Sequence, residues 1–218
     1  MKHVGDGYEL VIFDMDGVLV DCGSSWVAVH EHFGVNNEAS LELYLEKKID
    51  DMEFMRRDIA LWKEQCQDLH ISAIKGILDK VPLMPNVHRV FKELKAHGFK
   101  TAVVSGGIDI LAERVMKEVD CDLQISNGLV VDRGGYLTGE GVLRVPVMEK
   151  DLVVRRIQEM FGVDKVGTVS VGNSQVDVQM FRESGLSIAF CPEDSYTAEN
   201  SDVVLKGKDL GQILGHIL

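Results

Sequence analysis

The stretch Tyr8–Asp21, YELVIFDMDGVLVD, carries an apolar run that ends in two aspartates. Leu10–Phe13 is short and apolar, which predicts a buried strand, and Gly17 then breaks the extended pattern. Side chains two residues apart on an extended segment point to the same face, so Asp14 and Asp16 share one face. Two such carboxylates repel each other unless a cation or a proton lies between them. The pair is therefore either a solvated acidic turn or part of a functional site.

The composition is typical of a globular protein with a substantial core. Of the 218 residues, 45% are hydrophobic and 27% are charged, which suits one large domain or a core with a smaller insert. The formal net charge is −12 and the short basic clusters are mixed with acids, so we expect neither nucleic acid nor a membrane surface as a partner. The sequence has no apolar run of membrane-spanning length and no signal-peptide pattern at its N-terminus.

The four cysteines lie far apart and form no C-x-x-C pair; they are Cys22, Cys66, Cys121 and Cys191. A chain of this length has a core large enough to be stable without disulfides, which favours free thiols in a reducing compartment. We therefore expect a soluble, cytoplasmic protein.

The chain divides into a helical part and an alternating part. From about residue 24 to residue 80, the spacing of apolar residues predicts four short helices without a strand. Two prolines end that part, and strands then alternate with helices up to the C-terminus. This order predicts an α/β fold with a Rossmann-like, three-layer parallel sheet core. The expected domains are a discontinuous catalytic core, residues 1–20 and 83–218, and a small inserted helical cap, residues 21–82.

Three of the predicted strands end in polar or glycine-rich segments. In addition to the two aspartates after the first strand, Ser105-Gly106-Gly107 follows a strand over Phe99–Val104. Gly172-Asn173-Ser174 follows another strand over Val166–Val171. Ligands of parallel α/β sheets bind outside the carboxyl ends of the strands, so we expect these three segments to meet at one edge of the sheet.

The residue types at that edge suit phosphoryl transfer. The Ser105 hydroxyl and the backbone amides around Gly106 form either a phosphate-binding loop or an ordinary turn. Lys150 lies at the start of a predicted helix, where its charge would neutralise a phosphate. Hard oxygen donors that suit Mg²⁺ are present at Asp14, Asp16, Asn173 and Asp177.

The order of these motifs resembles the haloacid dehalogenase-like superfamily of phosphatases, and within it the phosphoserine phosphatase branch. The likeness extends over FDMDGVLV, VVSGGID, a hairpin that ends in YLTGE, then Lys150, VGNSQVD and LSIAFCPED. This resemblance implies a Mg²⁺-dependent phosphomonoesterase. Such an enzyme hydrolyses a small phosphorylated metabolite through an aspartyl-phosphate intermediate.

The resemblance also implies a role for each matched residue. Asp14 would be the nucleophile and a Mg²⁺ ligand, and Asp16 would be the general acid and base, with its backbone carbonyl on the metal. Lys150 would steady the nucleophile and the phosphate charge. The phosphoryl oxygens would be bound by Ser105 and Gly106, and the metal site would be completed by Asn173 and Asp177.

Two positions depart from the family pattern. Asn173 stands where the family usually has a metal-binding aspartate, so the predicted metal site has one negative charge fewer. Relatives that hydrolyse phosphoserine hold its ammonium with a glutamate and its carboxylate with a cap arginine. An ungapped match places Gly23 and Asp58 at these two positions. Arg56 and Arg57 lie close to the second position and are the expected substrate ligands.

Two other functions are compatible with the same motifs. A phosphotransferase or phosphomutase would pass the phosphoryl group to an alcohol instead of water. A phosphate-ligand binding or regulatory homologue with weakened catalysis is the other alternative, and Asn173 is the residue that favours it.

Overall fold

The computed structural model describes residues 7–218, so residues 1–6 of the expected core lie outside the described part. One seven-stranded sheet has the strand order β4-β3-β2-β1-β5-β6-β7. All neighbouring strands of this sheet pair in parallel except β3 and β4, which are antiparallel. The expected α/β class and Rossmann-like sheet are therefore confirmed. The strands are β1 (Leu10–Phe13), β2 (Lys100–Ile108), β3 (Leu123–Val131), β4 (Leu137–Val142), β5 (Thr168–Gly172), β6 (Leu186–Phe190) and β7 (Val203–Leu205).

Four helices separate β1 from the helix that precedes β2, as the sequence predicts, and no strand of the sheet lies between them in the described residues. The boundaries between core and cap stay a prediction. Two 3₁₀ turns, Gln175–Asp177 and Leu210–Ile213, each lead directly into a short α-helix in the last part of the chain. The α-helices are α1 (Ser25–Phe33), α2 (Glu38–Leu45), α3 (Asp51–Gln65), α4 (Ile71–Leu78), α5 (Val87–Ala96), α6 (Asp109–Glu118), α7 (Lys150–Phe161), α8 (Val178–Arg182), α9 (Ser195–Glu199) and α10 (Leu214–Ile217).

The central strand β1 is buried on both faces. Val11 and Phe13 pack into the larger hydrophobic cluster, whereas Leu10 and Ile12 pack into a second cluster on the opposite face. A strand covered on both sides has no polar face, which explains why this run is continuously apolar. The Phe13 ring stacks on Phe91 of α5, with ring centroids 5.1 Å apart, and this contact supports the strand end from which the aspartates follow.

Two strands differ from their predicted extents. β2 continues through Ser105-Gly106-Gly107, and its register against β3 shifts between Ser105 and Ile108. A shift of this kind marks a β-bulge, which changes the direction of the strand locally. β3 is one continuous strand with two pairing partners. Its first part pairs in parallel with β2, and its second part forms the hairpin with β4.

The hairpin also contacts the helical part of the chain. Lys63 Nζ donates a hydrogen bond of 2.6 Å to the Leu137 carbonyl. A side chain at Gly141 would begin 2.3 Å from Met55 Cε, so glycine allows α3 to pack closely on β4. In the part of the chain that the structure describes, none of the helices is both long enough and apolar enough to cross a membrane.

We predict that Phe91→Ala lowers the free energy of unfolding by about 3–5 kcal/mol, because it removes a buried aromatic ring and leaves a cavity beside β1. Chemical denaturation measures this loss. Val166→Ala is the control, since Val166 is 67% exposed, and it should change stability by less than about 0.5 kcal/mol. Equal losses for the two variants would contradict the assignment of Phe91 to the support of β1.

Candidate active site

The three predicted segments meet at one edge of the sheet. Asp14 continues β1 beyond its last residue, since its backbone N–H donates 2.9 Å to the Val171 carbonyl of β5. A cavity of about 270 Å³ opens there. Its volume lies just below the range of about 300–1,000 Å³ that is usual for small-molecule pockets, which suits a small metabolite. The predicted site residues that line it are Asp14, Asp16, Ser105, Gly106, Lys150 and Asn173.

Lys150 is the first residue of α7 and its side chain is buried at the floor of this cavity. Its Nζ donates 2.8 Å to Asp14 Oδ1 and 2.6 Å to Asp177 Oδ1. Burial by itself lowers the pKa of Lys150, but the two adjacent carboxylates raise the pKa above its ordinary value. The ammonium therefore stays charged and ties β1, α7 and the segment after β5 together.

The Asp14 carboxyl is buried, and its pKa is raised to about 7. Burial is the main cause, the charges of Asp177 and Asp16 act in the same direction, and Lys150 opposes the shift. Strongly shifted carboxyl groups in a cavity are typical of functional sites. Asp14 thus has the environment of a reactive group rather than that of a solvated turn.

Asp16 is held by the first turn of α1. Ser25 donates to Asp16 Oδ2 from both its backbone N–H and its hydroxyl, each at 2.8 Å. The same hydroxyl accepts from the Ile108 N–H at 3.0 Å, so α1, β1 and β2 are joined at this point. Burial raises the pKa of Asp16 against the opposing effect of these donors. A side chain at Gly107 would begin 2.7 Å from Asp16 Oδ2, which requires glycine there.

The loop of Ser105 and Gly106 is held from two sides. The Gly106 carbonyl accepts from Trp26 Nε1 at 3.1 Å and from Asn127 Nδ2 at 3.2 Å. The Ser105 hydroxyl oxygen accepts from the Gly107 N–H at 3.0 Å. Its proton has no acceptor among the described residues, so the hydroxyl can donate to a ligand in the cavity.

Asp177 serves as a structural acceptor. Besides Lys150 on Oδ1, its Oδ2 accepts from the backbone N–H groups of Asn173 and Ser174 and from the Ser174 hydroxyl, at 2.9–3.1 Å. Asp177 is completely buried and does not line the cavity. Its carboxylate therefore holds Lys150 and the residues after β5 in place, and direct metal binding by Asp177 stays a prediction from the sequence.

Glu193 is a site residue that the sequence-based prediction missed. It accepts 3.1 Å from Asn173 Nδ2 and lines the same cavity. Burial raises the pKa of Glu193, and the charges of Asp177 and Asp194 add to the shift. The available signal was its position shortly after β6, a fourth strand that ends at this edge.

Arg56 and Arg57 do not line the cavity in this structure, and their role as substrate ligands stays a prediction from the sequence. Arg56 Nε donates 2.8 Å to Glu140 and Arg57 Nε donates 2.8 Å to Glu53, and neither arginine lines the cavity. Positions spaced by three and four share one face of a helix. The face of α3 that lines the cavity carries Asp51, Phe54, Met55 and Asp58, so the two arginines lie on other faces.

The cavity floor offers oxygen donors to a divalent cation. Lys150 uses only Oδ1 of Asp14, and Asn173 donates with its amide nitrogen, which leaves its amide oxygen available. Glu193 adds a second carboxylate. In residues 7–218 no group of three His, Cys, Asp or Glu side chains has ligand geometry. A cation would therefore be held by a mixed set of carboxylate, amide and backbone oxygens, which is the chemistry of a hard cation.

The chain is similar in sequence to a family of known hydrolases. Residues 11–182 match the model of the haloacid dehalogenase-like hydrolases, and the chain belongs to this family. The phosphoserine phosphatase of Methanocaldococcus jannaschii is 30% identical over 213 residues, which span 96% of this chain and 97% of that protein.

Solved structures agree with this assignment. A structure described as a phospho-aspartyl intermediate analogue of phosphoserine phosphatase has a TM-score of 0.82 and 28% identity, and the match covers 98% of this chain and 100% of the other. A substrate-bound phosphoserine phosphatase complex also has a TM-score of 0.82 and 28% identity, over 97% and 99% of the two chains. The chain is thus a phosphoserine phosphatase-like hydrolase, and members of this group generally use a divalent metal.

We predict that Lys150→Met lowers the free energy of unfolding by about 3–5 kcal/mol, because it leaves buried carboxylates without their cation. The opposing effect of Lys150 on the pKa of Asp14 is lost, so this pKa lies still further above its value in the unfolded chain. A raised pKa in the folded state stabilises the protein at low pH and loses that effect as the pH rises. The deficit should therefore be smaller at about pH 6 than at about pH 9.

Denaturation curves at both pH values measure this effect. The control is Lys92→Met, which removes the same charge from an exposed position on α5 and should change stability by less than about 0.5 kcal/mol. A deficit for Lys150→Met that does not depend on pH would show that the ammonium is not needed to balance the carboxylates.

Proposed function

We propose that this protein is a Mg²⁺-dependent phosphomonoesterase that hydrolyses a small phosphorylated metabolite through an aspartyl phosphate on Asp14. The observation that carries the proposal is the Lys150–Asp14 ion pair at the floor of a cavity that also contains Asp16 and Ser105. A nucleophile, an acid and a phosphate-binding hydroxyl are thus gathered around one buried cation. In-line displacement at phosphorus requires this combination of positioning and charge neutralisation.

Nucleophilic attack in the first step is assigned to Asp14. Its carboxylate forms a bond to phosphorus while the bond from phosphorus to the leaving alcohol oxygen breaks. Lys150 fixes one carboxylate oxygen at 2.8 Å, which limits the orientations of the nucleophile. The ammonium also stabilises the negative charge that gathers on the phosphoryl group in the transition state.

Proton transfer is assigned to Asp16. Its raised pKa favours the protonated form, which donates a proton to the departing alcohol oxygen. The resulting carboxylate then accepts a proton from the water that hydrolyses the aspartyl phosphate. The two hydrogen bonds from Ser25 keep the carboxyl group in place for both steps.

Phosphate binding is assigned to the loop at Ser105 and Gly106. The Ser105 hydroxyl can donate to a phosphoryl oxygen while its own oxygen stays fixed by the Gly107 amide. The Gly106 carbonyl is held by Trp26 and Asn127. The loop is thereby ordered before the substrate arrives, which lowers the entropic cost of binding.

Mg²⁺ is the proposed cofactor, and when bound it would supply positive charge next to the transferring phosphoryl group. Asp14, the Asp16 backbone carbonyl and Asn173 are the proposed ligands. Glu193 restores the negative charge that an asparagine at position 173 lacks. Asp177 acts indirectly, because it holds Lys150 and the backbone of residues 173 and 174.

The segment of residues 21–82 is proposed to act as a cap over the core, which comprises residues 1–20 and 83–218. Trp26 on α1 donates to the Gly106 carbonyl of the core at 3.1 Å, and residues of α3 line the cavity. The cap therefore forms the wall against which the organic part of the substrate lies. All four cysteines are free thiols, which supports the cytoplasmic location predicted from the sequence.

The test is phosphate release from p-nitrophenyl phosphate and from a panel of phosphorylated metabolites, with Mg²⁺ present. We predict that Asp14→Asn abolishes turnover and gives no acid-stable enzyme-bound phosphate after quenching. Asp16→Asn should lower kcat by about 10²–10⁴-fold, since it removes the general acid. Asp68→Asn is the control, because Asp68 is exposed and does not line the cavity, and it should keep full activity.

Two outcomes would redirect the proposal. Enzyme-bound phosphate on a residue other than Asp14 would contradict the assigned nucleophile. Product formation that increases on addition of an acceptor alcohol, with phosphate transferred to that alcohol, would identify a phosphotransferase.

We predict that Asn173→Asp lowers the Mg²⁺ concentration for half-maximal binding by about tenfold, because ligand charge sets the affinity of such sites. Without metal the variant should melt at a lower temperature than the wild-type protein, since the new carboxylate would face Glu193 in place of an amide that donates to it. Calorimetric titration with Mg²⁺ and thermal melting measure both effects, independently of catalysis.

The matched control is Asn36→Asp, which adds the same charge at an exposed position and should leave the Mg²⁺ affinity unchanged. Equal Mg²⁺ affinities for wild type and Asn173→Asp would contradict the proposed ligand role. Hydrolysis of aryl phosphate by Asn173→Asp but not by the wild type would instead identify a homologue with weakened catalysis.

A further inference from the structure

The wall of the cavity is acidic beyond what the proposed chemistry uses. Asp51 and Asp58 of α3 line the cavity together with the carboxylates of its floor. Lys150 is the one lysine or arginine among the described residues that line it, and this ammonium is already paired with Asp14 and Asp177. A ligand therefore enters a cavity with an excess of negative charge.

Asp58 is buried, with only 3% of its surface exposed. Its two oxygens share one donor, Asn37 Nδ2, at 3.0 and 3.2 Å. His30 Nε2 is 3.5 Å from Asp58 Oδ2. Buried carboxylates are normally paired with a cation or with several strong donors, and Asp58 has a single amide and one long contact.

The His30 ring does not supply the missing positive charge. Trp62 Nε1 donates 2.7 Å to His30 Nδ1, and an indole nitrogen can only donate. His30 Nδ1 must therefore be the unprotonated nitrogen, which makes the ring neutral. The carboxylate of Asp58 is thus left without a cation from the described residues, and it lies on the wall of the ligand cavity.

Asp51 lies on the same face of α3, two turns before Asp58. Its Oδ1 accepts from the Tyr44 hydroxyl at 3.1 Å and from the Val147 N–H at 3.0 Å. These donors fix the side chain but bring no positive charge. Two carboxylates of one helix therefore face the space where the organic part of a substrate would lie.

The helices α1, α2 and α3 also present apolar and aromatic side chains to the cavity. These are Trp26, Leu41, Phe54 and Met55. The Trp26 ring stacks on Trp62 with centroids 5.3 Å apart, and the Phe54 ring stacks on Tyr44 at 4.9 Å, so both rings are fixed. Fixed aromatic rings beside carboxylates favour an organic cation, which gains attraction from both.

We infer that the site takes a phosphomonoester whose organic part carries an ammonium group and no carboxylate. This inference rests on the proposed phosphatase function and specifies its substrate class. The phosphate would lie at Ser105 and Lys150, and the ammonium would lie near Asp58. A substrate with an added carboxylate would face Asp51 and Asp58 without a cation to receive it.

The first test compares three esters that differ by one group. Aminoethyl phosphate carries the ammonium, propyl phosphate replaces it with a methyl group, and phosphoserine adds a carboxylate to aminoethyl phosphate. We predict that kcat/KM for aminoethyl phosphate exceeds both others by about tenfold or more. Equal values for the three esters, or a preference for phosphoserine, would overturn the inference while leaving the phosphatase function intact.

A variant of the wall tests the role of Asp58 as a specificity residue. Asp58→Asn keeps the shape of the side chain and removes its charge. It should lower the ratio of kcat/KM for aminoethyl phosphate to that for propyl phosphate by about tenfold, through KM rather than kcat. Asp51→Asn is the second variant, with a smaller effect in the same direction, and exposed Asp68→Asn is the control. An unchanged ratio in both wall variants would contradict the assignment.

Binding of non-hydrolysable phosphonates separates this inference from the catalytic proposal. Calorimetry with aminopropylphosphonate, butylphosphonate and the carboxylated analogue of aminopropylphosphonate should rank the first ligand tightest by about tenfold or more. This ranking without hydrolysis of any ester would support the ligand class and contradict the phosphatase function. Equal binding of the three phosphonates would contradict the ligand class.

Discussion

The buried ammonium of Lys150 is the interaction on which the site depends. It lies between Asp14 and Asp177, which come from widely separated segments of the chain. Charges inside a protein are normally paired and hydrogen bonded, and removal of one partner is strongly destabilising. Because Asp177 also accepts from the backbone N–H groups of Asn173 and Ser174, the segment after β5 is fixed at the same time. One cation thus positions Asp14, which is the proposed nucleophile, together with the start of α7 and the backbone of Asn173.

The floor and the wall of the cavity carry different kinds of residues. The floor gathers the groups that we propose to bind and transfer a phosphoryl group, in agreement with membership of the haloacid dehalogenase-like hydrolases. The wall is lined by side chains of α1, α2 and α3, and the proposed phosphoryl transfer does not use its buried carboxylate at Asp58. In our proposals, substrate choice depends on the helical segment and the reaction depends on the sheet edge.

Most of the floor was predictable because it follows local patterns. The apolar run of β1, the two aspartates after it and the serine and glycines in β2 are each visible in a few consecutive residues. Their meeting follows from a rule about the carboxyl ends of parallel strands. Ser25 and Glu193 were not found, because their roles rest on contacts with distant residues, Asp16 and Asn173 respectively, that no local sequence pattern indicates.

The sequence by itself determined the α/β class, the helical insert, the family and the residues that meet at the sheet edge, since these depend on periodicity and motif order. Only the tertiary structure decided which face of α3 lines the cavity. It turned Arg56 and Arg57 toward Glu140 and Glu53 and placed Asp58 on the cavity wall. It also made Asp177 a support for Lys150. Such outcomes depend on how a helix is rotated and on which distant groups pair, and packing alone fixes both.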